Sequence, residues 1–129
     1  AFAGADEIRD VTDEGLRLIS ELYAGEVRLC ELVGNSRPEE GSEHYLAYCI
    51  EAMTGRHFIH GRLIGLCVRI VGELQGQNIA PINDFLERID LDCSTEAVGL
   101  TDEEMENALS QVRKYVHQET HLLPGIFHF

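Results

Sequence analysis

Apolar residues recur every three or four positions through successive stretches of this 129-residue chain, and strand signals are nearly absent. Such spacing places the apolar side chains on one face of an α-helix. The pattern is clearest from Leu16 to Val33 and from Met105 to Val116. It predicts an all-α helical bundle.

Local start and stop signals give the predicted helix boundaries. Thr12 can cap a helix that begins at Asp13, and Gly34 with Asn35 stops it. Ser42 can cap a second helix that runs to about Thr54, and Gly55 closes it. The remaining boundaries are a third helix from about His60 to Gly76, a fourth with Pro81 in its first turn and ending near Ile89, and a fifth opened by a capping box of Thr101 and Glu104.

The length and composition predict one globular domain over residues 1–129. The hydrophobic fraction of 44% is enough for a core, and the net charge of −13 argues against binding nucleic acid or an anionic membrane. The four cysteines form no C-x-x-C pair, which is typical of a reduced intracellular protein. No signal peptide is recognisable, so a cytoplasmic location is expected.

The second predicted helix has a polar face whose side chains could take part in chemistry. His44, Tyr48 and Glu51 are spaced i, i+4 and i+7, which points an imidazole, a phenol and a carboxylate the same way. The alternative interpretation is an ordinary solvated helix face.

His60 sharpens this pattern. The helix rises about 15 Å from His44 to Thr54, at about 1.5 Å per residue. The following residues to His60 can span about 20 Å if extended. The chain can therefore run back along the helix and bring His60 beside His44, as a pair of ligands for zinc or iron.

Two histidines do not complete a catalytic zinc site, which takes three protein ligands and water. His57 could be a third ligand, although a loop histidine beside an arginine is more often exposed to solvent. His117 and His121, at i and i+4, are an alternative pair. No G-x-S-x-G, phosphate-binding glycine loop or H-E-x-x-H motif is present, and the catalytic residues are unknown.

The run S-R-P-E-E-G-S-E-H, from Ser36 to His44, followed by His60-Gly61, resembles the metal-binding half of the sn-glycerol-1-phosphate dehydrogenases. More broadly, the chain is similar to the superfamily of glycerol dehydrogenase, the iron-containing alcohol dehydrogenases and dehydroquinate synthase. The resemblance implies the helical C-terminal domain of such an enzyme, with His44 and His60 as metal ligands.

The resemblance also implies cofactors and a reaction for the parent enzyme. The metal is Zn²⁺, or alternatively Fe²⁺ or Ni²⁺, and an acidic third ligand comes from a segment before this domain. NAD or NADP binds mainly to an N-terminal Rossmann-like domain that this chain lacks, so none of its residues is assigned to the cofactor. The isolated chain is therefore expected to be inactive.

By the same resemblance the substrate is a small polyol or polyol phosphate, which Arg37 and Tyr48 could contact. Tyr48 stands where relatives commonly have a second histidine, which argues against dehydroquinate synthase activity and leaves it the less favoured alternative. The other alternative is a non-catalytic helical interaction module or an enzyme remnant. Homo-oligomerisation stays open.

Overall fold

The computed structural model describes residues 2–119 and 122–129. Within these ranges the chain is helical and contains no strand, which confirms the all-α prediction. The helices are α1 (Ala5–Arg9), α2 (Asp13–Val33), α3 (Ser42–Thr54), α4 (His60–Leu74), α5 (Ala80–Arg88), α6 (Thr95–Val98) and α7 (Asp102–Gln118), with 3-10 helices at Phe2–Gly4 and Ile126–His128.

Most of the local signals act at the helix ends as predicted. The Thr12 hydroxyl accepts a hydrogen bond from the Gly15 N–H, 3.1 Å away, at the start of α2. Thr101 and Glu104 form the reciprocal capping box of α7. Gly34 and Gly55 end α2 and α3 in the left-handed conformation, which glycine adopts without steric cost.

Ser42 does not cap α3 as predicted. The N-cap is Gly41, and Ser42 is the first helical residue. The Ser42 side chain is buried, and its Oγ accepts a hydrogen bond of 3.1 Å from the Ile126 N–H. The hydroxyl therefore satisfies a distant backbone donor and leaves its own helix terminus uncapped by a side chain.

The described chain divides into two compact units. The first comprises Ala1–Glu39 and Ile79–Asp92, and within it α1 packs on α2 and α5. Of its described residues only Ala5 and Gly15 are buried. Helix α2 leaves large apolar side chains exposed along its length: Leu16, Ile19, Leu22, Tyr23, Val27, Leu29, Leu32 and Val33. The prediction of one domain over residues 1–129 stays a prediction.

The second unit, Glu40–Asn78 with Cys93–Phe129, contains a hydrophobic core. Helix α3 packs against both α4 and α7, and α6 lies against α4. The largest fully buried side chains are Leu46, Ile50, Leu63, Val112, Val116, Cys49 and Cys67. No helix in residues 2–119 or 122–129 is long and apolar enough to cross a membrane.

Candidate metal centre

Helix α3 places His44 and Tyr48 on the same face, as the spacing predicts. Their ring centres lie 6.0 Å apart, one helical turn from each other. The His44 side chain is 12% exposed, so most of its imidazole is shielded from water. The face that carries the predicted site is therefore partly covered and not simply solvated.

His60 lies beside His44 although 16 positions separate them in the sequence. It is the first residue of α4, and its side chain is exposed. The two ring centres are 5.5 Å apart, and the ring planes are inclined by 47°. Side chains this close can both reach one ion.

Glu51 supports the segment that returns the chain from α3 to α4. Its Oε1 accepts a hydrogen bond of 3.3 Å from the Phe58 N–H and lies 3.5 Å from Nδ1 of His57. The His57 side chain is 96% exposed, so this imidazole faces solvent. The carboxylate of Glu51 thus holds the return segment, while His44 and His60 form the pair.

Glu43 contacts the imidazole of His44 directly. Its Oε1 lies 3.1 Å from Nδ1 of His44 and accepts a 2.7 Å hydrogen bond from the Gly41 N–H. Burial alone would raise the pKa of the Glu43 carboxyl. The hydrogen bonds from His44 and from the backbone of Glu43 and Gly41 outweigh that effect, and the net pKa is lowered.

The two proposed substrate contacts, Tyr48 and Arg37, are in different units. The Tyr48 hydroxyl donates a hydrogen bond of 2.7 Å to Oε1 of Glu40, in the second unit. Arg37 is in the first unit, in the turn after α2, where its backbone N–H donates to Oδ1 of Asn35 at 2.9 Å.

The separation of the His44 and His60 ring centres matches the value expected for two imidazoles on one ion. A metal–nitrogen distance of about 2.1 Å puts each ring centre about 3.2 Å from the ion, so two imidazoles on a tetrahedral ion have centres about 5.3 Å apart. The observed separation is 5.5 Å. Across the described residues, however, no group of three or more His, Cys, Asp or Glu side chains could hold a metal.

The alternative histidine pair is only partly described, because His121 lies outside the described residues. His117 donates from Nδ1 to the Arg113 carbonyl oxygen at 2.7 Å. Its ring centre is 5.6 Å from that of His128, whose Nδ1 accepts a hydrogen bond from the Gly125 N–H. His128 therefore uses as an acceptor the nitrogen lone pair that a metal would need at Nδ1.

Glu43 and Glu40 are the polar residues of this centre that the sequence analysis missed. Helical periodicity groups residues three or four apart and separates neighbours by about 100°. The contact between Glu43 and His44 depends on the glutamate bending back at the first turn, which periodicity cannot indicate. An acidic residue next to a candidate histidine ligand in the sequence could have indicated this contact.

Comparison with known proteins finds similarity to glycerol-1-phosphate dehydrogenases, and no family model matches. The glycerol-1-phosphate dehydrogenase (NAD(P)+) of Saccharolobus islandicus strain L.S.2.15 is 33% identical over 96 residues, which are 74% of this chain and 27% of that enzyme. The Aeropyrum pernix enzyme of the same name is 30% identical over 107 residues, 82% of this chain and 30% of its own. The Methanosarcina mazei enzyme of the same name is 27% identical over 107 residues, which are 83% of this chain and 30% of that enzyme.

These similarities confirm the resemblance to the glycerol-1-phosphate dehydrogenases over about three quarters of the chain. The chain spans only 27–30% of the length of these curated relatives.

Proposed function

From this similarity we propose that the chain is the helical, metal-binding part of a metal- and nicotinamide-dependent glycerol-phosphate or polyol dehydrogenase. The observation that carries the proposal is the approach of the His44 and His60 rings to 5.5 Å, in a chain similar to glycerol-1-phosphate dehydrogenases. Both histidines would bind the ion as neutral imidazoles. Zinc is the first choice of metal, with Fe²⁺ and Ni²⁺ as alternatives.

The proposed reaction of the parent enzyme is a reversible hydride transfer. A secondary alcohol loses a hydride from its carbon to NAD(P)+ and a proton from its oxygen, which gives a ketone, NAD(P)H and a free proton. A bound metal would supply Lewis acidity that lowers the pKa of the alcohol. The cofactor and the third metal ligand would come from parts of the enzyme outside this chain.

The residues of this chain would hold the ion and border the substrate. His44 and His60 occupy the starts of α3 and α4 and so define one side of the centre. Tyr48, fixed by its hydrogen bond to Glu40, would present its ring next to His44. Arg37 would contact a substrate phosphate, since a guanidinium matches that anion in charge and geometry.

The competing function is a non-catalytic helical interaction module. The exposed apolar side chains of α2 favour it, because a large exposed apolar area on a helix normally packs against another surface. This alternative requires no metal. Metal binding at the histidine pair therefore separates the two functions.

The test is a calorimetric titration of the 129-residue chain with zinc at about pH 7.5, where histidine is mostly neutral. We expect weak binding, because two imidazoles are one ligand short of a catalytic site. His44→Ala and His60→Ala should each weaken binding at least about tenfold.

His57→Ala is the matched control, because this exposed histidine lies three positions before His60 in the same return region. Its zinc affinity should equal that of the unsubstituted chain. Zinc binding that survives both His44→Ala and His60→Ala would contradict the proposed centre and mean that the zinc site lies elsewhere. Absence of zinc binding by the unsubstituted chain would favour the interaction module.

A further inference from the structure

We infer that Glu43 is a positioning residue, which holds the His44 proton on Nδ1 and so leaves Nε2 as the nitrogen free to bind an ion. The assignment of that ion rests on the proposed function. The assignment of the tautomer rests only on contacts within this chain.

One oxygen of Glu43 makes two polar contacts. Oε1 of Glu43 receives the Gly41 N–H at 2.7 Å and lies 3.1 Å from Nδ1 of His44. An ionised carboxylate can only accept hydrogen bonds. Nδ1 must therefore be the donor, and in a neutral imidazole the lone pair then belongs to Nε2.

The Glu43 carboxylate has a fixed position. The backbone N–H of Gly41, the N-cap of α3, anchors Oε1 at the start of the helix. A Cβ at Gly41 would lie 2.4 Å from Oε2 and 2.7 Å from Oε1 of Glu43. The carboxylate thus occupies the space that only a glycine leaves open at this position.

The contact between Glu43 and His44 is shielded from solvent. The side chains of His44 and Glu43 are 12% and 21% exposed, so water competes poorly for their hydrogen bond. On the neighbouring helix α4, the buried thiol of Cys67 is also within the influence of the Glu43 charge. The carboxylate–imidazole contact is therefore shielded from water, and it favours the tautomer with the proton on Nδ1, as carboxylates do for metal-binding histidines in general.

The direct test is ¹⁵N NMR of the His44 ring in the metal-free chain at about pH 8, which lies above the ordinary pKa of histidine. We expect a protonated Nδ1 and an unprotonated Nε2. Glu43→Ala should lose this signature and give a mixture of the two tautomers. Glu43→Gln should restore it, because both hydrogen bonds use one oxygen and the glutamine amide retains an acceptor oxygen.

Gly41→Ala tests the same inference with the carboxylate still present. The backbone of Gly41 has φ −95° and ψ −159°, which alanine can adopt, so the expected effect is displacement of the Glu43 carboxylate. The His44 signature should move towards that of Glu43→Ala. Glu51→Ala is the matched control, because it removes another carboxylate from α3 that lies near a different histidine.

Unchanged His44 nitrogen signals in both Glu43→Ala and Gly41→Ala would overturn the inference. A zinc titration separates this result from the proposed function. Glu43→Ala should weaken zinc binding about tenfold or more while both histidines remain. If zinc fails to bind the unsubstituted chain at all, the proposed function fails, and the metal-free NMR result still decides the role of Glu43.

Discussion

At the scale of single residues, burial decides which side chains can react. Cys67 and Cys49 are fully buried in the core of the second unit, between α3 and its neighbouring helices. Burial raises the pKa of the Cys67 thiol to about 12, and the negative charge of Glu43 adds to the rise. Burial likewise raises the pKa of Cys49 to about 11. Both residues are therefore packing groups at neutral pH and not nucleophiles.

These raised pKa values predict a loss of stability in alkali. An unfolded cysteine ionises near pH 9, whereas the folded thiols hold their protons to higher pH. The stabilising contribution is therefore complete below about pH 8.5 and declines as the pH rises, towards about 1.4 kcal/mol per pH unit for each thiol. Urea unfolding between pH 7.5 and about 10 should show this decline.

Cys67→Ala is the control for the alkaline effect. It should lower the free energy of unfolding at pH 7.5, because a buried sulfur is lost, but should flatten the decline above about pH 9. An equally steep decline in Cys67→Ala would show that other groups cause the alkaline loss.

The two contacts of His44, with His60 and with Glu43, differ in how well the sequence predicts them. The pairing of His44 with His60 could be predicted, because helix rise and the reach of an extended segment are nearly constant quantities. The contact of Glu43 with His44 could not, since it depends on a side-chain rotamer at the first turn of α3. A third metal ligand could not be predicted from these residues, since the relatives are nearly three times as long as this chain.

At the scale of elements, the close approach of α1 to α2 depends on one glycine. A Cβ on Gly15 would lie 2.1 Å from the carbonyl oxygen of Glu7 and 2.5 Å from its carbon. Those are backbone atoms of α1, which cannot turn aside as a flexible side chain can. The first turn of α2 can therefore pack on α1 only without a side chain at this position.

Gly15→Ala should therefore destabilise the chain by about 1–3 kcal/mol, the usual cost of overpacking. Gly25→Ala is the matched control in the same helix, because a Cβ there meets nothing within 4 Å. It should stabilise the chain by about 0.5–1 kcal/mol through helix propensity. Chemical unfolding of both variants gives the comparison, and a stabilising Gly15→Ala would contradict the close helix contact.

The long helices could be predicted from the sequence because their signals are local. Thr12, Gly34, Gly55 and the Thr101 capping box each act within one turn of a helix end. The short helices α1 and α6 could not be predicted, since four or five residues contain too little periodicity to detect. Ser42 shows the remaining gap, because a cap residue can equally serve a distant backbone donor.

At the scale of the whole molecule, the two units differ in how much they bury. The second unit contains most of the buried side chains, while the first has only Ala5 and Gly15 buried among its described residues. Local opening costs least where few apolar contacts must be broken. The two units should therefore differ in their local stability.

Hydrogen exchange measured by mass spectrometry should show this difference. Amides in the middle of α2 should exchange at least about tenfold faster than those of α4, although both are long helices. The comparison should be repeated at tenfold lower protein concentration. Protection of α2 equal to that of α4, lost on dilution, would mean that another copy of the chain covers its exposed apolar side chains.

The segment from Thr54 to His60 limits which insertions and deletions a chain of this kind can tolerate during evolution. The helix rise that must be recovered is about 15 Å, and the six steps to His60 reach about 20 Å, so the spare length is less than two residues. An inserted residue adds slack and lets the rings still meet. A deletion of two residues pulls His60 away from His44, and no side-chain substitution elsewhere can restore the distance. Gains and losses of length here are thus unequal, because the segment from Thr54 to His60 can lengthen but can lose at most about one residue and still bring the two rings together.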